Sequence, residues 1–190
     1  FDFNVSPGIA TVRQGMEREI MPISCRRCNT NPGVGSGRDC MFCGETQPFE
    51  TVTAFIGEVY IPEDSNTRMI CEKIIEDWSQ THIGPVVCYG DASGGSRKTS
   101  SEQIIEDYLS RHWHDFTIDV AAVNPLIRDK TVCLNSRLKN ALGDVRVLLN
   151  PSMCPKLIED LDLTELDQNG NVDPGPGKLR GHMIDAMGYV

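Results

Sequence analysis

The stretch Pro85-Val86-Val87-Cys88-Tyr89-Gly90-Asp91 constrains the fold of this chain more than any other. It is a short apolar run bounded by turn residues, the pattern of a strand buried on both faces. Helical periodicity brackets it on both sides. Upstream, Met69, Ile70, Ile74, Ile75 and Trp78 fall on one face at a 3.6-residue period, with Ser65 or Asn66 placed to cap the helix. Downstream, a Ser-Gly-Gly-Ser loop leads to a second helix. There Thr99 and Glu102 have capping-box spacing, and Ile104, Ile105, Tyr108 and Leu109 form the apolar face.

The rest of the chain extends this pattern. Residues 1–5 and 9–12 read as a strand interrupted at Pro7-Gly8, and Thr51 to Tyr60 as a second strand. Phe116, Ile118 and Val120 alternate as another strand. A helix is predicted over residues 126–141, with Val132, Leu134, Leu138 and Leu142 as its core side and Gly143 as its C-terminal cap. Val145 to Leu149 reads as a short strand, 155–163 as a short helix, 167–177 as a polar Gly/Pro loop and 179–190 as a helical end. Strands come first and then alternate with helices, which predicts an α/β domain: a mixed sheet flanked by helices. Residues 20–49, punctuated by Pro32, Gly33, Gly35 and Gly37, lack core-forming residues and read as an insertion between two strands.

At 190 residues the chain fits one domain, 1–190, carrying the inserted lobe 20–49. No apolar run approaches the roughly 18 residues that span a bilayer, and no secretion signal opens the sequence. It begins Phe-Asp-Phe-Asn without an initiator Met, which suggests a piece of a longer protein. The net charge of -9 argues against coating of nucleic acid by the whole surface and against binding to anionic membranes. It leaves room for a metal-dependent nuclease, which needs clustered carboxylates and only local phosphate contacts.

Four of the eight Cys form two pairs, Cys25-Arg-Arg-Cys28 and Cys40-Met-Phe-Cys43, separated by eleven residues. Two such knuckles close a tetrahedron of thiolates around one structural Zn2+, with two disulfides or a redox pair as the alternative. Four Cys leave no open position for catalysis on that ion. Arg26 and Arg27 in the first knuckle are candidate contacts to DNA phosphate, or simply a solvated face. Cys71, Cys88, Cys133 and Cys154 are scattered through apolar segments and read as small buried hydrophobes.

Asp91 closes the central apolar strand, where open α/β sheets gather functional groups, and is a candidate metal ligand. Asp2 sits inside an apolar strand pattern, either facing solvent from an edge or holding a cation. His182 and Asp185, three apart in a helical segment, share a face. The Gly90–Thr99 stretch is not a phosphate loop, because Ser96 and Arg97 separate Gly95 from Lys98 where a Walker sequence needs Gly-Lys-Ser/Thr. Arg97 and Lys98 remain candidate phosphate contacts.

Taken in order, Asp2-Phe-Asn, Tyr89-Gly-Asp-Ala-Ser-Gly94, Asn124-Pro125, Leu134-Asn-Ser-Arg-Leu138, Leu149-Asn-Pro151, Cys154-Pro-Lys-Leu-Ile-Glu-Asp-Leu161 and His182-Met-Ile-Asp-Ala-Met-Gly-Tyr189 resemble one family. It is the nuclease domain of tailed-bacteriophage terminase large subunits, the DNA-packaging motors. The likeness spans the chain except for the cysteine-bearing insertion.

The resemblance implies a ribonuclease-H-like fold and a two-metal-ion endonuclease that cuts concatemeric double-stranded DNA. It implies Asp2, Asp91 and Asp185 as ligands of two Mg2+ or Mn2+ ions, with His182 beside them. Glu58 is a possible fourth acid, whereas Asp119 and Asp144 read as structural or solvated. The implied partners are double-stranded DNA, an ATPase domain upstream in the same chain, a small terminase subunit and a portal, in the host cytoplasm and away from membrane. Two other readings compete. One is another ribonuclease-H-like nuclease, a junction resolvase or transposase core. The other is a non-enzymatic zinc-binding interaction module.

Overall fold

A computed structural model describes residues 8–18, 28, 42–44, 50–92, 101–141, 143–166, 168, 172, 173 and 181–188. The chain forms strands β1 (Gly8–Arg18) and β2 (Glu50–Ile61), helix α1 (Thr67–Trp78), β3 (Val86–Cys88), α2 (Ser101–Leu109), β4 (Phe116–Ile118) and α3 (Ile127–Leu138). These are followed by β5 (Val147–Leu149), α4 (Pro155–Leu163), β6 (Glu165–Leu166), β7 (Val172–Asp173) and α5 (His182–Met187). The result is an α/β fold in which a mixed sheet is flanked by helices. β1 and β2 are antiparallel, β5 adds to β2 in parallel, and β3 and β4 form a separate parallel pair. Among the described residues, no helix is long and apolar enough to cross a membrane.

The β1–β2 ladder contains one irregularity that organises the core. Val12 pairs with Gly57 and Arg13 with Phe55, so Ile56 is an extra residue on β2. A bulge of this kind reverses which face the following side chains take. Phe55 and Val59 are four apart and would share a face in a regular strand. Here Phe55 packs with Ile9, Val147, Leu157, Met183 and Met187, and Val59 packs with Ala10, Ile70, Ile74, Ile105 and Leu109. One core therefore lies under α1 and α2, the other under α4 and α5.

On the first face the sheet admits Trp78 only because Gly57 has no side chain. A Cβ there would stand 2.3 Å from Trp78 Cζ2. The far ends of β1 and β2 meet at Arg18 and Glu50, so residues 19–49 leave and re-enter the sheet at one hairpin end.

Several local expectations hold. Asn66 caps α1, its Oδ1 accepting from the Met69 amide at 3.0 Å, and α4 spans the residues expected of it. Others are corrected. Met69 is exposed and Cys71 takes its place on the buried face of α1, because 70, 71, 74 and 78 follow the helical stripe more closely. β3 is not buried on both faces: Val87 is 43% exposed. α3 buries none of its residues fully, and Val132 is exposed while Leu134 and Leu138 pack only partly against the α4–α5 core. Its cap is not Gly143. α3 ends at Leu138, and Gly143, at φ 86°, instead closes a turn in which its amide donates to the Asn140 carbonyl.

Candidate functional site

α5 carries His182 and Asp185, and its position is set by a relay of carboxylates starting in the sheet. Helix α4 begins Cys154-Pro155, with no side-chain cap and no amide on the proline. Its first donors, Lys156 N and Leu157 N, go to the two oxygens of Glu58 on β2, at 2.7 and 2.8 Å. Helix α4 in turn supplies Asp160, which is nearly buried. Asp160 accepts from Gly181 N at 2.7 Å, Met183 N at 3.0 Å and Ile184 N at 3.2 Å, satisfying the N-terminus of α5. A carboxylate there also meets the positive end of the helix dipole. Gly181 enters the helix at φ 88°, a left-handed conformation suited to glycine. The side of α5 that holds Met183, Ala186 and Met187 is buried.

Asp185 faces the other way, toward α3. The Lys130 ammonium pairs with its Oδ1, and the Lys130 side chain is only 10% exposed. Asp91 follows β3 by three residues, and its Oδ1 accepts from the Asn124 side-chain amide. Asn124 Oδ1 takes the Ala92 amide at 2.8 Å. Asn124 therefore clamps the turn that presents Asp91.

Chain neighbours of the two acids, rather than the acids themselves, line one cleft of about 440 Å³. Tyr89, two residues before Asp91, and Ala186, the residue after Asp185, both line it, together with the β1 stretch from Ala10 to Gly15. Arg13 lies in this wall with its guanidinium 4.7 Å from the centre of the Tyr89 ring. Burial lowers the Arg13 pKa, Tyr89 opposes that shift, and the nearby charge of Arg137 lowers it further.

Of the residues expected at the site, Asp91, His182 and Asp185 are described. His182 opens α5 and is half-buried. Asp2, Cys25, Cys40, Arg26, Arg27, Arg97 and Lys98 lie outside the described residues. Cys28 and Cys43, the described members of the cysteine quartet, are both half-buried. Among the described residues, no three His, Cys, Asp or Glu side chains gather as a metal site. Glu58, a possible fourth acid by sequence, is committed to the α4 N-terminus. Asp144 is structural, its carboxylate and amide both bonded to the Asn140 side chain. Asp119 is exposed.

Sequence reasoning assigned no role to Asn124, Lys130 or Asp160. Asn124 and Asp160 appear there only within the Asn124-Pro125 and Cys154–Leu161 matches, and Lys130 not at all. Of the unpaired cysteines, Cys71, Cys88 and Cys154 are buried, as expected of small hydrophobes, whereas Cys133 is exposed on α3. Burial pushes the Cys71 thiol up to about 12 and those of Cys88 and Cys154 to about 11.

No family model, no curated protein and no solved structure matches this chain.

Proposed function

We propose that this chain is a metal-dependent endonuclease domain of the terminase large-subunit type, acting on double-stranded DNA within a longer packaging protein. The observation that carries the reading is the placement of Asp91 and Asp185. They come from a β-strand end and a distant helix, yet their chain neighbours Tyr89 and Ala186 line one cleft, and each carboxylate is held by a side chain from elsewhere in the fold. A ribonuclease-H-like topology is part of the proposal. Its support is the antiparallel β1–β2 pair followed by the parallel β3-α2-β4 crossover, with Asp91 beyond the C-terminal end of β3.

The donor chemistry suits hard divalent cations. Carboxylate oxygens match Mg2+ or Mn2+, and Asp185 already faces a cation, the Lys130 ammonium. In this reading Asp2, Asp91 and Asp185 hold two such ions. Bound there, the ions supply a water of lowered pKa and stabilise the leaving 3′ oxygen. Asn124 fixes the aim of Asp91, Asp160 fixes the start of α5, and Lys130 holds Asp185 in place. His182, three residues before Asp185 on α5, is assigned in this reading a hydrogen-bonding role at the same site. The cysteine quartet Cys25, Cys28, Cys40 and Cys43 holds one structural Zn2+, and Arg26, Arg27, Arg97 and Lys98 meet phosphate. The proposed setting is the host cytoplasm during virion assembly, with the upstream ATPase domain, small terminase subunit and portal as partners.

The test is supercoiled plasmid incubated with the chain, with and without Mn2+ or Mg2+, beside Asp91→Ala. Metal-dependent nicking and linearisation, lost in the variant, are expected. Cleavage that survives Asp91→Ala would overturn the assignment, and absence of both cleavage and Mn2+ binding would favour a zinc-binding interaction module.

A further inference from the structure

The cleft that Tyr89 and Ala186 line departs from the rest of the chain in charge. Acids outnumber bases by 27 to 18 in the sequence. Yet the described residues that line the cleft include one arginine, Arg13, and no carboxylate. Its volume of about 440 Å³ lies within the roughly 300–1,000 Å³ of small-molecule sites.

Aromatic rings gather there as well. Trp78, His82, Tyr89 and Trp113 all line the cleft, and the two tryptophans are the only ones in the chain. These rings are already fixed by the fold. Trp78 sits against Gly57, where a Cβ would stand 2.3 Å from its ring. The Trp113 indole N–H donates to the His82 carbonyl at 2.9 Å. The His82 Nε2 stands 3.3 Å from the Pro85 carbonyl oxygen. Rings held in this way lose little freedom when a flat ligand packs against them.

Arg13 supplies the polar end. Its guanidinium lies 4.7 Å from the centre of the Tyr89 ring and donates to the Tyr89 hydroxyl. A guanidinium carries five N–H donors, so others remain for an anion. Among the described residues no acid pairs with Arg13, whereas Arg68, Lys73, Lys130 and Lys156 all have acidic partners. Consecutive residues of β1 and of β3 line the cleft, where a sheet face would present alternate ones. Strand edges therefore face it, and β2 and β4 are the only described strands paired with β1 and β3. Their main-chain donors and acceptors are at hand for the polar groups of a ligand.

We propose that this cleft binds a single nucleotide, with the base among the four rings and the phosphate on Arg13. Aromatic side chains stack on any base, and a guanidinium matches phosphate oxygens. The choice of a nucleotide over another aromatic anion rests on the nuclease reading. The acid-free aromatic cleft with its one cation does not.

Because both tryptophans line the cleft, tryptophan fluorescence reads its occupancy. The whole chain is titrated with 5′-dAMP in EDTA, beside deoxyadenosine, inorganic phosphate and benzoate. dAMP should quench the emission saturably. Deoxyadenosine should bind roughly tenfold more weakly, because it lacks the charge-assisted hydrogen bonds of the phosphate. Arg13→Gln should bind dAMP as weakly as the wild type binds deoxyadenosine, and Arg68→Gln on α1 should change nothing.

Circular dichroism checks that Arg13→Gln folds; if it does not, the wild-type preference for dAMP over deoxyadenosine carries the test. No saturable change with dAMP, or equal binding of dAMP and deoxyadenosine, would overturn the proposal. So would an unchanged dAMP affinity in folded Arg13→Gln. Displacement of dAMP by equimolar benzoate would reassign the cleft to another aromatic acid, and displacement by equimolar phosphate to a bare anion; either result overturns the nucleotide. The nuclease reading fails separately. A chain that never cuts plasmid but binds dAMP in this way keeps the cleft and loses the enzyme, and one that cuts without binding dAMP loses only the cleft.

Discussion

Replacing Asp160 with Ala tests whether the carboxylate relay holds α5 in place. The side chain is 9% exposed and accepts three backbone amides, from Gly181, Met183 and Ile184. Losing an N-terminal cap costs about 0.5–2 kcal/mol. A hydrogen bond to a charged group contributes about 1.5–3 kcal/mol, and amides left buried without acceptors add to the loss. The three bonds share one carboxylate and do not sum, so the expected destabilisation of Asp160→Ala is about 3 kcal/mol. For a chain of this size that lowers Tm by about 6–12 °C. Asp160→Asn keeps a carbonyl acceptor but loses the charge, and should cost about half as much. Thermal unfolding followed by circular dichroism reads the magnitude, and hydrogen exchange at Met183 and Ile184 reads the location. A melt within experimental error of wild type, with both amides still protected, would refute the relay.

The remaining predictions concern other parts of the fold. Glu58→Gln should destabilise by about 1–2 kcal/mol, because the Lys156 and Leu157 amides lose a charged acceptor; chemical denaturation reads it. Gly57→Ala should cost about 1–3 kcal/mol, since the new Cβ meets the rigid Trp78 ring; the loss should be recovered in Gly57→Ala/Trp78→Leu. Thiol alkylation mapped by mass spectrometry should modify Cys133 in the native chain and spare Cys71, Cys88 and Cys154 at pH 8. Those three are buried and their thiols are pushed up to about 11 or 12, so thiolate grows only as pH rises toward those values.

The sequence makes plain what depends on local pattern. Helix α4 begins at the Cys154-Pro155 entry, and the α1 cap is narrowed by residue type and spacing to Ser65 or Asn66, of which the fold uses Asn66. Legibility fades where a residue's role is set by a distant element. Val87 sits in an apolar run but is exposed, because the β3–β4 pair is covered less completely than such a run suggests. Val132 has the spacing of a core residue, yet α3 touches the core only through Leu134 and Leu138.

The candidate site divides in the same way. Asp91 and Asp185 stand out in sequence through their neighbours, and the fold brings Tyr89 and Ala186, close to each in the chain, to one cleft. Of the groups that hold them, Asn124 shows in sequence only as part of the Asn124-Pro125 match, and Lys130 not at all. Asn124 is 33 residues from Asp91, and Lys130 is 55 from Asp185. Glu58 looks like a site acid in sequence, and its role at the bare N-terminus of α4, nearly 100 residues away, shows only in the fold.

The claim at the centre of this account is that Asp91 and Asp185 serve a single divalent-ion site. Calorimetric titration of Mn2+ into the wild-type chain, Asp91→Asn, Asp185→Asn and the double variant tests it most directly. Residues acting as one unit give strongly non-additive losses. Each single variant should abolish most of the Mn2+ binding, and the double variant should bind no worse than either. Binding unchanged in the single variants, or losses that simply add, would show that the two carboxylates do not share an ion site and would contradict the nuclease reading.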